Sequence, residues 1–80
     1  AMKKLNILNM KNFLKVVNEC RDEVRVILPD GQKKNIRGHY AMQDLLLKEF
    51  EKNKGSLKII LEVVNPKDYM SIVSYYAGDC

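Results

Sequence analysis

The chain contains one histidine, His39, and two cysteines, Cys20 and Cys80, the side chains with which it could do nucleophilic or metal chemistry. His39 stands in Ile36-Arg37-Gly38-His39-Tyr40-Ala41-Met42, where a polar strand hands over to a helix. An imidazole beside the free amides of a helix start could hold or accept an anion such as a phosphoryl group. The segment gives it no carboxylate partner, so the expectation is a partly exposed residue near a cap, following the flexible Gly38. One histidine and no Cys-x-x-Cys pair do not make a zinc site. No Ser/His/Asp or Cys/His arrangement can be placed from these spacings either. The expectation is a protein without metal, cofactor or enzymatic activity. Cys20 falls on the apolar stripe of a helix and reads as a small buried hydrophobe. Cys80, the last residue, reads as exposed and incidental.

The elements that must position these residues follow from hydrophobic spacing. Lys3 to Leu8 is a short first strand with Leu5 and Ile7 on one face. Asn9 then caps a helix from Met10 to Cys20, with Met10, Phe13, Leu14 and Val17 forming its apolar stripe. Val24 to Leu28 is a β-branched, apolar strand, closed by the turn Pro29-Asp30-Gly31. Gln32 to Arg37 reads as the polar second arm of a hairpin. The helical period returns from Tyr40 to Asn53 through Met42, Leu45, Leu46 and Phe50, with Gly55 near its stop. Leu57 to Val64 is the strongest strand. Asn65-Pro66-Lys67-Asp68 then starts a last helix, with a capping residue, a proline at the first position and an acid in the first turn. Its buried stripe is expected to be Tyr69, Ile72, Val73 and Tyr76, and its stop Gly78.

Bulk properties bound the reading further. Eighty residues with 46% hydrophobic content suit one small globular domain, here residues 2–80 with Ala1 set aside. The longest apolar stretch, Ile59-Ile60-Leu61-Glu62-Val63-Val64, is far too short to span a membrane, and a cytoplasmic location is the expectation. The net charge of +4 is mild, and the only adjacent basic pairs are Lys3-Lys4 and Lys33-Lys34. A nucleic-acid binder would concentrate such charge in one stripe. A slight positive bias instead favours an acidic protein partner through faster encounter.

The order βαββαβα defines an α+β fold with a four-stranded, mostly antiparallel sheet and helices on one face. Central strands should be apolar, whereas edge strands tolerate charge. The second strand (Val24, Val26, Leu28) and the fourth (Leu57, Ile59, Leu61, Val63) are the most apolar, and Gln32 to Arg37 has the charged look of an edge. Strands two and four are therefore expected in the middle of an open-faced β-sandwich.

In this arrangement the chain resembles the histidine-containing phosphocarrier (HPr) family of the sugar phosphotransferase system over essentially its whole length. Phe13-Leu14-Lys15-Val16-Val17 followed by Val24-Arg25-Val26 resembles that family's first helix and second strand. Tyr40-Ala41-Met42-Gln43-Asp44-Leu45-Leu46 resembles the opening of its second helix, and Ser56-Leu57-Lys58-Ile59-Ile60-Leu61 its fourth strand. The resemblance implies a phosphoryl-accepting histidine in a Gly-x-His-Ala-Arg-Pro-Ala segment where strand one meets helix one. This chain has Ile7-Leu8-Asn9-Met10-Lys11-Asn12 there, with no histidine, arginine or proline. It also has Tyr40 where some members carry a regulatory serine, and Met42 where the family has an apolar residue of its partner-binding patch.

Taken together, these features predict a diverged HPr-like module that has lost phosphohistidine chemistry and acts by binding a protein, in the phosphotransferase system or in regulation. Asn9, Met10, Arg37, His39, Tyr40 and Met42, near the two helix starts, are the candidate partner-binding residues. Two alternatives stand beside this reading. In one, His39 is a relocated phosphoryl acceptor. In the other, the chain is a small nucleic-acid-binding βα module. The second alternative is disfavoured because such sheets stack bases on aromatics, and here Tyr69, Tyr75 and Tyr76 all fall on the last helix.

Overall fold

The structure, a computed structural model, describes the backbone of residues 1–79 and the side chains of residues 1–76, so Cys80 lies outside the described residues. The elements are β1 (Met2–Ile7), α1 (Met10–Glu19), β2 (Val24–Ile27), β3 (Lys33–Asn35), α2 (Tyr40–Lys52), β4 (Leu57–Val63) and α3 (Pro66–Asp79). They form a four-stranded sheet in the order β1-β4-β2-β3, with every neighbouring pair antiparallel. The two most apolar strands are central, as their composition requires, because a central strand has no edge to expose.

Strand alternation divides the sheet into two faces. Leu5, Ile7, Val24, Val26, Ile59, Leu61 and Val63 point into a core completed by Met10, Phe13, Leu14 and Val17 of α1, Leu46 of α2 and Ile72 of α3. Each fully buried aliphatic chain there contributes roughly 1.5–3 kcal/mol of transfer free energy. The opposite face carries Lys4, Asn6, Arg25, Ile27, Lys33, Lys58, Ile60 and Glu62, none of them fully buried. On this open face Glu62 accepts from Arg25 at 3.0 Å and from Lys33 at 2.8 Å. Lys33 and then Arg25 hold its carboxyl below the usual range for glutamate.

Two ends of the molecule matter below. The upper end holds Val63, Val24 and Asn35, and the lower end holds Ile7, Leu57 and the β2–β3 turn. That turn is tied by Leu28 donating to the Gln32 carbonyl, with Gly31 at a φ of +87°, a region where side chains are disfavoured. The chain enters α1 at the lower end, and α2 and α3 at the upper end.

The structure differs from the sequence expectation at three places. Ala1 belongs to the fold, because it exchanges hydrogen bonds with Val63 at 3.0 and 2.9 Å and prolongs the β1–β4 ladder. The last helix runs through Gly78 to Asp79. A glycine costs about 1 kcal/mol in a helix, too little to stop one by itself. Most consequential is the rotation of α2: Gln43 and Leu46 are its buried residues, and Leu45 is exposed.

Candidate functional site

The start of α2 is assembled from polar side chains that fix the backbone and leave the first turn open. Asn35, the last residue of β3, accepts from the backbone amides of Val24 and Arg37 through its side-chain oxygen, both at 3.1 Å. Ile36 is fully buried and its amide donates to the Val24 carbonyl at 2.8 Å, anchoring the segment to β2. Arg37 then folds back, and its guanidinium Nε donates to the carbonyl of Cys20 at the end of α1. Gly38 has a φ of +69°, and its amide donates to the Asn18 side chain at 3.0 Å. A side chain at this position would strain the turn that presents His39.

Gln43 explains the rotation of α2. Its amide nitrogen donates to Asn18 Oδ1 at 2.6 Å and to the Ile36 carbonyl at 2.8 Å, and Asn18 donates back to its oxygen at 3.2 Å. A buried amide with its partners in place has no desolvation deficit to hold it out of the core. The stripe Gln43, Leu46, Leu47 and Phe50 therefore faces inward. It shares Leu46 and Phe50 with the stripe through Met42 and Leu45, and apolar spacing alone does not distinguish the two.

Outward, α2 exposes charged side chains from Asp44 onward together with two large apolar ones. Tyr40 is 69% exposed and Leu45 is 56% exposed, while Met42 is partly buried. His39 occupies the cap position of α2, is exposed, and makes no side-chain capping hydrogen bond. The α2 start thus offers uncapped amides, an imidazole and the exposed Tyr40 in its first turn, with the exposed Leu45 in the second.

The other two candidates lie elsewhere. Asn9 caps α1 by accepting from the Asn12 amide at 3.1 Å, and its carbonyl accepts from the Tyr75 hydroxyl at 3.1 Å. Met10 is 1% exposed, so it is a core residue and cannot meet a partner; this corrects its place among the binding candidates. The expected single surface near both helix starts is also corrected. The α2 start is bonded to Asn18, in the last turn of α1, and Asn9 lies about 13 Å away along the α1 axis at the usual helical rise. Of the six candidates, Arg37, His39, Tyr40 and Met42 are grouped at the upper end, while Asn9 and Met10 are at the lower.

Cys20 is buried as its place on the stripe requires, and its thiol donates to the Val16 carbonyl at 3.4 Å. Burial, reinforced by the charge of Asp68, pushes the thiol up to about 11, which keeps it protonated and inert at neutral pH. Asp68 is itself buried and accepts from the amides of Arg21 and Asp22, both at 2.9 Å. The sequence presents Asp68 only as an acid in a helix's first turn; that it also holds the α1–β2 loop is a tertiary fact. Among the described residues no group of three or more His, Cys, Asp or Glu side chains could hold a metal ion, and no helix is long and apolar enough to cross a membrane.

Compared with known proteins, the chain matches no family model, no curated protein and no solved structure.

Proposed function

We propose that this chain is a protein-interaction module, a diverged relative of the HPr-type phosphocarriers, that docks a protein of the phosphotransferase system or a regulatory protein through the start of α2. The observation that carries the reading is the exposure of Tyr40 and Leu45 in a helix whose backbone is rigidly held by Asn18, Gln43 and Arg37. Exposed aromatic and aliphatic side chains on a preorganised helix bind with little ordering cost, and aromatic side chains are enriched where binding energy concentrates. The β1–α1 junction supports the loss of phosphoryl chemistry. Its cap is satisfied internally, Met10 is buried, and the segment holds no imidazole.

A pull-down from native lysate tests the reading. Tyr40→Ala combined with Leu45→Ala and Met42→Ala should release the partners that the unaltered chain recovers. Recovery of the same partners by the triple variant would refute docking at α2. In a second arm the chain is incubated with phosphoenolpyruvate and the first enzyme of the phosphotransferase system. No acid-labile phosphoryl adduct is expected, and an adduct that disappears in His39→Ala would favour the relocated acceptor instead.

A further inference from the structure

The sheet ends in two edges of unequal length. At one, β3 spans only Lys33–Asn35. At the other, β1 runs from Met2 to Ile7 and pairs with β4 alone. Opposed residues of an antiparallel ladder alternate between pairs that exchange both bonds and pairs that turn their backbone groups away. Ala1 and Val63 exchange both bonds, so Lys3, Leu5 and Ile7 also bond toward β4. Met2, Lys4 and Asn6 therefore present their amides and carbonyls to the free edge. The Asn6 amide bears out this phase, because it donates outward to the Tyr76 hydroxyl at 3.1 Å. Tyr76 thereby closes the lower end of the edge. The amides and carbonyls of Met2 and Lys4 have no hydrogen-bond partner among the described residues.

The side chains beside these open groups are cationic. By strand alternation Lys4 lies on the open face and Lys3 on the face that the helices cover. Neither has an ion-pair partner among the described residues. Lysines guard an edge against strands that would set a like charge beside them. A second copy of β1 meets that obstacle. An antiparallel two-fold through Lys3 or Lys4 sets that lysine against itself, and one through Leu5 or Asn6 needs the amide that Tyr76 holds. One through Met2 overlaps the two strands only at their first residue. The same two lysines favour a strand that brings carboxylates to both faces at adjacent positions.

We propose that the free edge of β1 adds one antiparallel strand from an acidic, extended segment of a partner protein. The added strand bonds to Met2 and Lys4 and sets adjacent carboxylates opposite Lys3 and Lys4. Main-chain bonds supply affinity, and the two charge pairs select the register. β1 and the β3–α2 junction stand at opposite edges of the sheet, so this site is separate from docking at α2.

The test uses the full chain and the blocked peptide acetyl-Thr-Val-Glu-Glu-Val-Thr-amide, followed by NMR at low salt. Saturating peptide should slow exchange of the Met2 and Lys4 amides with water by about tenfold or more. The Lys3 and Leu5 amides, already bonded to β4, should be unchanged. Methylating the peptide nitrogens of the first Glu and the second Val, which face Lys4 and Met2 in this register, should abolish the effect while keeping the charge. Lys3→Glu with Lys4→Glu should weaken binding of the acidic peptide by about tenfold or more and admit its Lys-Lys counterpart, an exchange that an unfolded variant would not show. Tyr40→Ala with Leu45→Ala should leave binding unaltered, which separates failure here from failure at α2. The proposal is overturned by no protection at Met2 and Lys4, by equal protection from the Lys-Lys peptide on the unaltered chain, or by equal binding of the methylated peptide. Protection that rises with protein concentration in the absence of peptide would overturn it in favour of a second copy.

Discussion

The starts of α1 and α2 are built from the same ingredients, a strand end, a short turn and a polar cap position, yet they have opposite surfaces. At α1 the cap is filled by Asn9, its carbonyl receives Tyr75, and the first helical residue, Met10, is buried. At α2 the cap residue His39 makes no capping bond, and the first helical residue, Tyr40, is exposed. The α1 start is closed because the two tyrosines at the end of α3 reach it, Tyr75 at Asn9 and Tyr76 at Asn6. Among the described residues no such lid reaches the α2 start, whose polar bonds lie behind it, on Asn18, Cys20, Val24, Asn35 and Ile36. A helix start can therefore be rigid without being sealed, and rigidity with exposure is the combination that binding needs.

Substitutions can break this contrast in a graded way. Met10→Ala should cost about 2–5 kcal/mol of unfolding free energy, measured by urea denaturation, because it opens a cavity in the core. Tyr40→Ala should change stability by less than about 0.5 kcal/mol. Equal costs at the two positions would erase the distinction. Asp68→Ala should cost about 2–3 kcal/mol, since it strands the Arg21 and Asp22 amides at the upper end without an acceptor.

At the caps the effects are smaller and of opposite sign. Asn9→Ala removes a capping bond and should cost about 1 kcal/mol, whereas His39→Asn supplies one and should gain about 0.5 kcal/mol. Thermal melts of both variants read the difference, and a loss of stability in His39→Asn would show that the imidazole does structural work.

The sign of the pH dependence at Cys20 follows from its environment. The folded thiol titrates near 11 and the unfolded one near 9, so the folded state retains the proton between those values. The stability contributed by the neutral thiol is complete below about pH 9 and is lost as pH rises toward 11. In a Cys80→Ser background this decline should be present, and adding Cys20→Ala should flatten it. Native protein of that background should also react slowly with a disulfide reagent at neutral pH.

The sequence was informative wherever one physical requirement acted alone. Asn9 before an apolar stripe, Asn65-Pro66 before α3, and the contrast between apolar Leu57–Val63 and charged Lys33–Asn35 each had one reading, and the sheet order followed from them. α2 was harder because two apolar stripes fit the same helix. Gln43 decided between them through Asn18, distant in the chain, and Ile36, in the preceding segment. The candidate site was half legible for the same reason. Tyr40, Met42, His39 and Arg37 could be grouped from their adjacency, but the burial of Met10 and the exposure of Leu45 depend on how α1 and α2 meet.

By itself, then, the sequence determined the elements, their order and the apolar character that sends β2 and β4 to the centre. These depend on periodicity and on the penalty for exposing or burying particular residue types, and both are local properties. Only the tertiary structure decided which face of α2 is free, that Asp68 is buried beneath the α1–β2 loop, and that Tyr75 and Tyr76 of α3 reach Asn9 and Asn6 beside the start of α1. Those outcomes rest on hydrogen bonds and charges brought together from distant parts of the chain, and their energies exist only once the partners are in place.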